Sequence, residues 1–386
     1  MQLLLLLSRL EISEDQQGKV QELCAQIDDW PEFIRQAQQR FVLPLVYRNL
    51  RRISVQGFPA DCISKLRQEC LSTVQRNLRI AAAQKKLRCE LLVPLNIPHL
   101  FFKGPALAAR YYGQPGLRSC RDIDLLVSQQ HLVSLLEAML QRDYRPYKPV
   151  GMRSDHVSLT FAVHSQPVIT VISPEGIAIE LHQCIDHNGK IYNTSDLLET
   201  AESFSWEVSS LSVMPTAELF VYLCFHHTRH RWSHLHWLAD LDATQRHPEF
   251  DLLEVRACAA RHNLSETVEA CLEFYHACSM PEPWRNEELG KHGTALLEAC
   301  LLNLQGGRDV ELALRKDNAT PDFAFAWQTT TGHRLACWVR SWTVLWRPSY
   351  SDYRSWPLPS GWQWLYWVTR PFRGLIKRLS YNGVPR

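Results

Sequence analysis

Two aspartates two residues apart open the apolar run Arg121-Asp122-Ile123-Asp124-Leu125-Leu126-Val127. In an extended strand side chains alternate between faces, so Asp122 and Asp124 project together while Ile123 points into a core. Carboxylates held that close repel each other unless a cation lies between them. Mg²⁺ takes oxygen ligands and is commonly held by one or two carboxylates plus substrate phosphates, so the strand reads as a metal and phosphate platform. Asp240-Leu241-Asp242 repeats the spacing. It falls near the end of an expected helix, where residues two apart do not share a face, and is not expected to bind metal as a pair.

Other residues able to do chemistry lie further on. In the expected strand Ile177 to His182, Glu180 and His182 share one face with Ala178,. His226 and His230 continue the stripe of Leu219, Tyr222 and Leu223 at helical spacing,. They therefore point to the interior or to a cleft. An i, i+4 histidine pair is the spacing zinc hydrolases use, yet His226-His227-Thr228-Arg229-His230 has no Glu beside its first histidine to serve as general base. Three readings stay open for the pair: cleft lining, buried hydrogen-bonded histidine, and zinc ligation.

The elements that must position these groups follow from punctuation and periodicity. Ser13, Trp30-Pro31 and Pro44 mark helix starts, and a long helix runs from about Asp61 to Leu92 with Ile63, Leu66, Cys70, Val74 and Leu78 on one stripe,. Residues 1–93 are expected to be a helical domain. Pro94 and Pro98 then end that region. Ile97 to Phe102 reads as a buried strand closed by Lys103-Gly104, with Pro105 at the first helical position,. Gln129 to Leu140 reads as an amphipathic helix, followed by strand-like runs at Val157 to Val163, Val168 to Ile172 and Ile177 to His182, the last two joined by a Pro174-Glu175-Gly176 turn,. Residues 94–212 form the expected core. Helices opening at Pro215 and covering Trp232 to Ala243, Leu252 to Arg261, Ser265 to Cys278 and Thr294 to Leu304, the last stopped by Gly306-Gly307, make residues 213–320 a second helical domain,. Residues 321–386 are an aromatic-rich tail.

Composition narrows the class. The 386 residues are 46% hydrophobic and 21% charged with a net charge of +2, ordinary for a globular chain and without the excess basicity of a nucleic-acid coat protein,. Twelve cysteines without a C-x-x-C pair read as reduced thiols,. No apolar stretch approaches the roughly 20 residues of a spanning helix, and the leucine run at the N-terminus lacks a basic segment before it and reads as a packed helix. A cytoplasmic protein is expected. Trp338, Trp342 and Trp346, and the mixture of aromatic and basic residues from Trp362 to Leu379, suit either packing on the rest of the chain or peripheral contact with an anionic membrane,.

The order of the pieces, FFKG at 101–104, YYGQPGLR at 111–118, DIDLLV at 122–127, IELH at 179–182 and FHHTRHRW at 225–232, resembles nucleotidyltransferases of the DNA polymerase beta superfamily. It is more closely similar to an uncharacterised bacterial nucleotidyltransferase family, over roughly Asp29 to Ala243. The resemblance implies an α+β fold, with a small mixed nucleotidyltransferase sheet flanked by N-terminal and C-terminal helical domains. It implies Mg²⁺-dependent transfer of a nucleoside monophosphate from an NTP to a hydroxyl or phosphate acceptor, with release of pyrophosphate. Asp122, Asp124 and Glu180 would hold one or two Mg²⁺ ions, Glu180 completing a second metal site or taking the acceptor proton. Lys103, Gly104, Arg118 and Arg121 would meet the triphosphate; His182, on the face of Glu180, would orient the acid or contact substrate, and His226 and His230 are candidates to line the nucleotide or acceptor cleft. A small-molecule or biosynthetic acceptor is favoured, since no basic stripe suited to a nucleic-acid backbone is evident. The chain departs from the superfamily at Gly104-Pro105, where proline supplies no N–H to a phosphate. That departure supports the alternative of a catalytically inactive nucleotide- or partner-binding protein.

Overall fold

The structure, a computed structural model, describes residues 1–53, 58–114, 116–186, 191–206, 209–281, 289–317 and 346–370, with a few positions between 331 and 339. The chain is mixed α and β. It divides into two compact units, each assembled from three segments: Met1–Ala82, Phe102–Arg121 and Glu202–Thr329 in the first, Ala83–Phe101, Asp122–Ala201 and Thr330–Arg386 in the second.

The chain begins with α1 (Gln2–Leu7), whose five leucines are all buried. Ser13 then caps α2 (Glu14–Cys24) in a reciprocal capping box with Gln16, and Asp29 caps α3 (Trp30–Gln39) with Pro31 in its first turn,. α4 (Leu43–Ile53) packs on α1 and α3, and its buried Asn49 donates to the carbonyls of Leu7 and Arg9 at 2.9 and 2.7 Å, satisfying groups that the end of α1 leaves open,. The long α5 (Ala60–Leu87) passes into a π-helical turn at Arg88–Leu92. Its buried seam is Cys62, Leu66, Cys70, Thr73, Asn77 and Ile80, while Ile63 and Leu78 of the expected stripe are exposed. Asn77 draws the seam round. Its amide donates to the Arg118 carbonyl at 2.6 Å and accepts from the Cys120 N–H at 3.1 Å.

Five strands make the sheet of the second unit, in the order β3-β4-β5-β2-β1. β1 (His99–Phe101) precedes α6 (Gly104–Tyr111) of the first unit, and β2 (Asp122–Val127) leads into α7 (Gln129–Leu140). Next come β3 (Arg145–Lys148), α8 (His156–Ser165), β4 (Val168–Ile172) and β5 (Ala178–His182), the last two antiparallel and joined by a turn in which Gly176 has a positive φ of 82°. β2 is antiparallel to β1 and parallel to β5. The segment Val157 to Val163, expected as a strand, is helical: Asp155 accepts from the Ser158 N–H and caps α8, and burial on several sides blurs the periodicity of its apolar residues,.

After α9 (Thr194–Glu199), the hairpin of β6 (Glu202–Trp206) and β7 (Ser209–Val213) belongs to the first unit. There α10 (Thr216–Arg229) is nearly all buried and packs on α11 (His236–Gln245), α12 (Leu252–Arg261) and α13 (Ser265–Ser279). α14 (Lys291–Asp317) runs through Gly306-Gly307 rather than stopping there. Two glycines cost about 1 kcal/mol each in a helix, which a long run of strong helix formers absorbs. A short helix, α15 (Tyr350–Ser355), packs on α8 within the second unit.

Candidate active site

The register of the parallel pair β2 and β5 sets Asp124 opposite Glu180 and Asp122 opposite Ala178. Paired residues of neighbouring strands face the same way, so Asp122, Asp124, Glu180 and His182 all belong to one face. Ile123, Leu125 and Ile179 lie fully buried behind them and anchor both strands. Asp124 is only 5% exposed. Asp122 and Glu180 remain partly open to solvent. On the other flank Glu180 pairs with the buried Thr170 of β4, a hydroxyl neighbour that the sequence reading passed over.

His182 closes the group. Its Nε2 lies 3.2 Å from Asp124 Oδ1 and 3.6 Å from Glu180 Oε2, between the two carboxylates. Ligand-type atoms of Asp124, Glu180 and His182 all fall within 4.8 Å of one another. Two carboxylates and an imidazole form a donor set that suits a divalent cation: the oxygens suit Mg²⁺, and an imidazole nitrogen also suits Mn²⁺ or Zn²⁺. The set fits in a second way, because a histidine that donates to a ligating carboxylate fixes its orientation. Asp122 stands outside the close group, two residues back on the same face.

A second concentration of polar groups lies in the first unit. Gly104, at the end of the β1 turn, has a φ of 60°, a conformation that glycine adopts without the clash a Cβ would bring,. Beside it the Lys103 ammonium lies over the Phe102 and Tyr222 rings and 3.4 Å from His226 Nε2. Burial, then the positive charge of Lys103, holds His226 well below the usual histidine range. A neutral His226 accepts from Lys103 at Nε2 and presents Nδ1 to the Tyr222 hydroxyl at 3.3 Å,. His230, at the C-terminal end of α10, lies near it with ring centroids 4.8 Å apart and planes tilted by 58°. His227, which the sequence reading did not single out, lies flat on Trp237 at 4.8 Å with planes 7° apart.

Arg118 was expected at a triphosphate. Its guanidinium is buried and engaged with Asp240, Nε to Oδ1 at 2.7 Å and Nη2 to Oδ2 at 3.0 Å, while Tyr112 donates to the same carboxylate at 2.6 Å. Both prongs of the fork are thereby taken up. Arg121 is exposed and lies over the Phe41 ring at 4.1 Å. Of the second D-x-D pair, Asp242 meets Arg9, Tyr275, Arg246 and the Leu10 N–H, so the two carboxylates of α11 serve different partners, as residues two apart on a helix must,.

Among the described residues, one other group of ligand-type side chains is equally close: Glu218, Cys258 and His262. Glu218 accepts from His262 Nε2 at 2.5 Å and from the Cys258 thiol at 3.0 Å, tying α10 to α12. His226 and His230 belong to neither group. An ammonium against His226 Nε2 also opposes a zinc ion there.

A family model described as an uncharacterised nucleotidyltransferase matches residues 27–279. The chain belongs to that family. No curated protein matches it. The nucleotidyltransferase segment contains the β2 and β5 carboxylates, Lys103-Gly104 and the α10 histidines, and it ends before the aromatic tail. No helix among the described residues is long and apolar enough to cross a membrane.

Proposed function

We propose that this nucleotidyltransferase moves a nucleoside monophosphate from an NTP to a hydroxyl or phosphate group of a small-molecule or biosynthetic acceptor. The observation that carries the reading is the pairing of Asp124 with Glu180 on the face that also bears Asp122. Asp122, Asp124 and Glu180 would hold one or two divalent cations, Mg²⁺ in the first instance, whose charge offsets that developing on the α-phosphate. The acceptor oxygen forms a bond to the α-phosphorus as the bond to pyrophosphate breaks. Glu180, the more open of the paired carboxylates, takes the acceptor proton. His182 holds the Asp124 carboxylate by its hydrogen bond and is a positioning residue,. Within the first unit, Arg118 shapes its loop through Asp240.

The free thiols of the described cysteines fit a reducing, cytoplasmic setting,. A second reading, a nucleotide-binding protein without catalysis, is favoured by Pro105, which gives no N–H at the turn where phosphate is cradled,. Incubation with each NTP, a divalent cation and a small-molecule cell extract, with pyrophosphate release as readout, separates the two. Release that depends on Asp124 supports transfer. NTP binding by calorimetry without release in any acceptor pool supports the second reading.

A further inference from the structure

After Asp352 the sequence holds no acidic residue, yet it carries Arg354, Arg370, Arg373, Lys377, Arg378 and Arg386. Four tryptophans, Trp356, Trp362, Trp364 and Trp367, crowd the same stretch. They are 48, 59, 58 and 51% exposed, and Val368 beside them is 52% exposed. Tryptophans turned outward in this number are uncommon on a protein surface that meets only water.

The segment is held in place rather than loose. Tyr366 is fully buried, with its ring edge-on to Phe161 at a centroid distance of 5.2 Å. Its hydroxyl accepts from the Leu358 N–H at 2.8 Å and donates to the Trp356 carbonyl at 2.5 Å, clamping the turn that displays the indoles. Arg370 bonds the Ser349 hydroxyl at 2.7 Å and pairs with Asp352, while Tyr353 stacks on Phe161 at 4.9 Å. The segment is thus fastened to α8 and α15, while its four indole rings stay about half exposed.

We infer that the segment exposing Trp356, Trp362, Trp364 and Trp367 docks on the surface of an anionic phospholipid bilayer. Indole has an apolar body and a polar N–H, and it settles at the boundary between headgroups and acyl chains. The uniformly basic charge following these residues in sequence complements anionic headgroups, and does so without an acidic residue to repel them,. A fixed display of the rings lowers the ordering cost of insertion.

Vesicle flotation of the full chain tests it, with phosphatidylcholine vesicles and with vesicles containing phosphatidylglycerol. The protein should float with the anionic vesicles, with a blue shift of tryptophan emission, and release as salt is raised. Substituting Trp362→Ser, Trp364→Ser and Trp367→Ser together should weaken partition by roughly tenfold or more. Reversing Lys377→Glu and Arg378→Glu in a second variant should weaken it with the indoles intact. Circular dichroism and the urea midpoint of each variant establish that it is folded. A folded wild type that stays in the aqueous phase with anionic vesicles overturns the inference, as does a triple variant that floats like wild type. A dimer that the triple variant dissolves, without vesicle binding, assigns the segment to a second copy and also overturns it.

Discussion

Asp124 and Glu180 sit side by side, in register across the parallel strands β2 and β5, with His182 Nε2 3.2 Å from the first and 3.6 Å from the second. Two carboxylates this near are tolerated because a proton donor lies between them, and the same space suits a divalent cation.

Removing His182 tests whether it positions the carboxylate. His182→Ala should lower activity about 10- to 100-fold by loosening Asp124, with cation affinity falling by a similar factor. His182→Gln, which retains a donor, should restore part of both. Equal loss in the two variants would mean that the imidazole itself is required as a ligand or proton carrier.

The buried pair Arg118 and Asp240 predicts a stability effect. Asp240→Ala leaves a buried guanidinium without its partner and should cost about 3–5 kcal/mol. Arg118→Met with Asp240→Leu should cost less than either single change, because it strands no charge. Urea unfolding of the three variants measures this. A loss under about 1 kcal/mol for Asp240→Ala would show that water replaces the pair.

Asn77 is the single side chain of α5 that satisfies both the Arg118 carbonyl and the Cys120 N–H. Asn77→Ala should cost about 1–3 kcal/mol by orphaning both groups. Asn77→Asp keeps the acceptor for Cys120 but faces the Arg118 carbonyl with an oxygen, and should be no better than alanine. A variant as stable as wild type in thermal unfolding would contradict the role.

Burial is the first cause that lowers the ionisation of His226, His227 and His236, with Lys103 next for the first two and Arg118 next for the third. In the unfolded chain these imidazoles take protons near pH about 6.5. Between that value and their depressed native range the unfolded state binds more protons, so stability is full above about pH 6.5 and falls as pH drops below it. The slope approaches about 1.4 kcal/mol per pH unit for each histidine. Urea midpoints that stay level or rise on acidification would contradict the neutral, buried state of the three.

Local signals identified the core elements well and long-range ones hardly at all. β2 and α7 follow directly from DIDLLV and from the Leu132, Leu135, Leu136, Met139 spacing, each read within a dozen residues. Val157 to Val163 misleads because Val157, Leu159, Phe161 and Val163 alternate as a strand would,. There the Asp155 cap and the contacts of Ser158 with Tyr350 prevail, the latter across nearly 200 residues of chain,. Asn77 reads as a polar interruption of α5 until its partner loop, more than 40 residues away, is in place.

The site divides in the same way. The carboxylates could be named from residue type and strand period, since a period of two fixes which side chains share a face. Their pairing depends on a register between strands nearly 60 residues apart, and the fate of Arg118 depends on Asp240, which no local pattern connects to it.

Pyrophosphate release on incubation with NTPs, a divalent cation and an extract of small-molecule acceptors, comparing wild type with Asp124→Asn, tests the central claim most directly. The account predicts release by the wild type that requires the cation and falls roughly a thousandfold in a variant whose unfolding midpoint is unchanged. Release that persists undiminished in folded Asp124→Asn would contradict it.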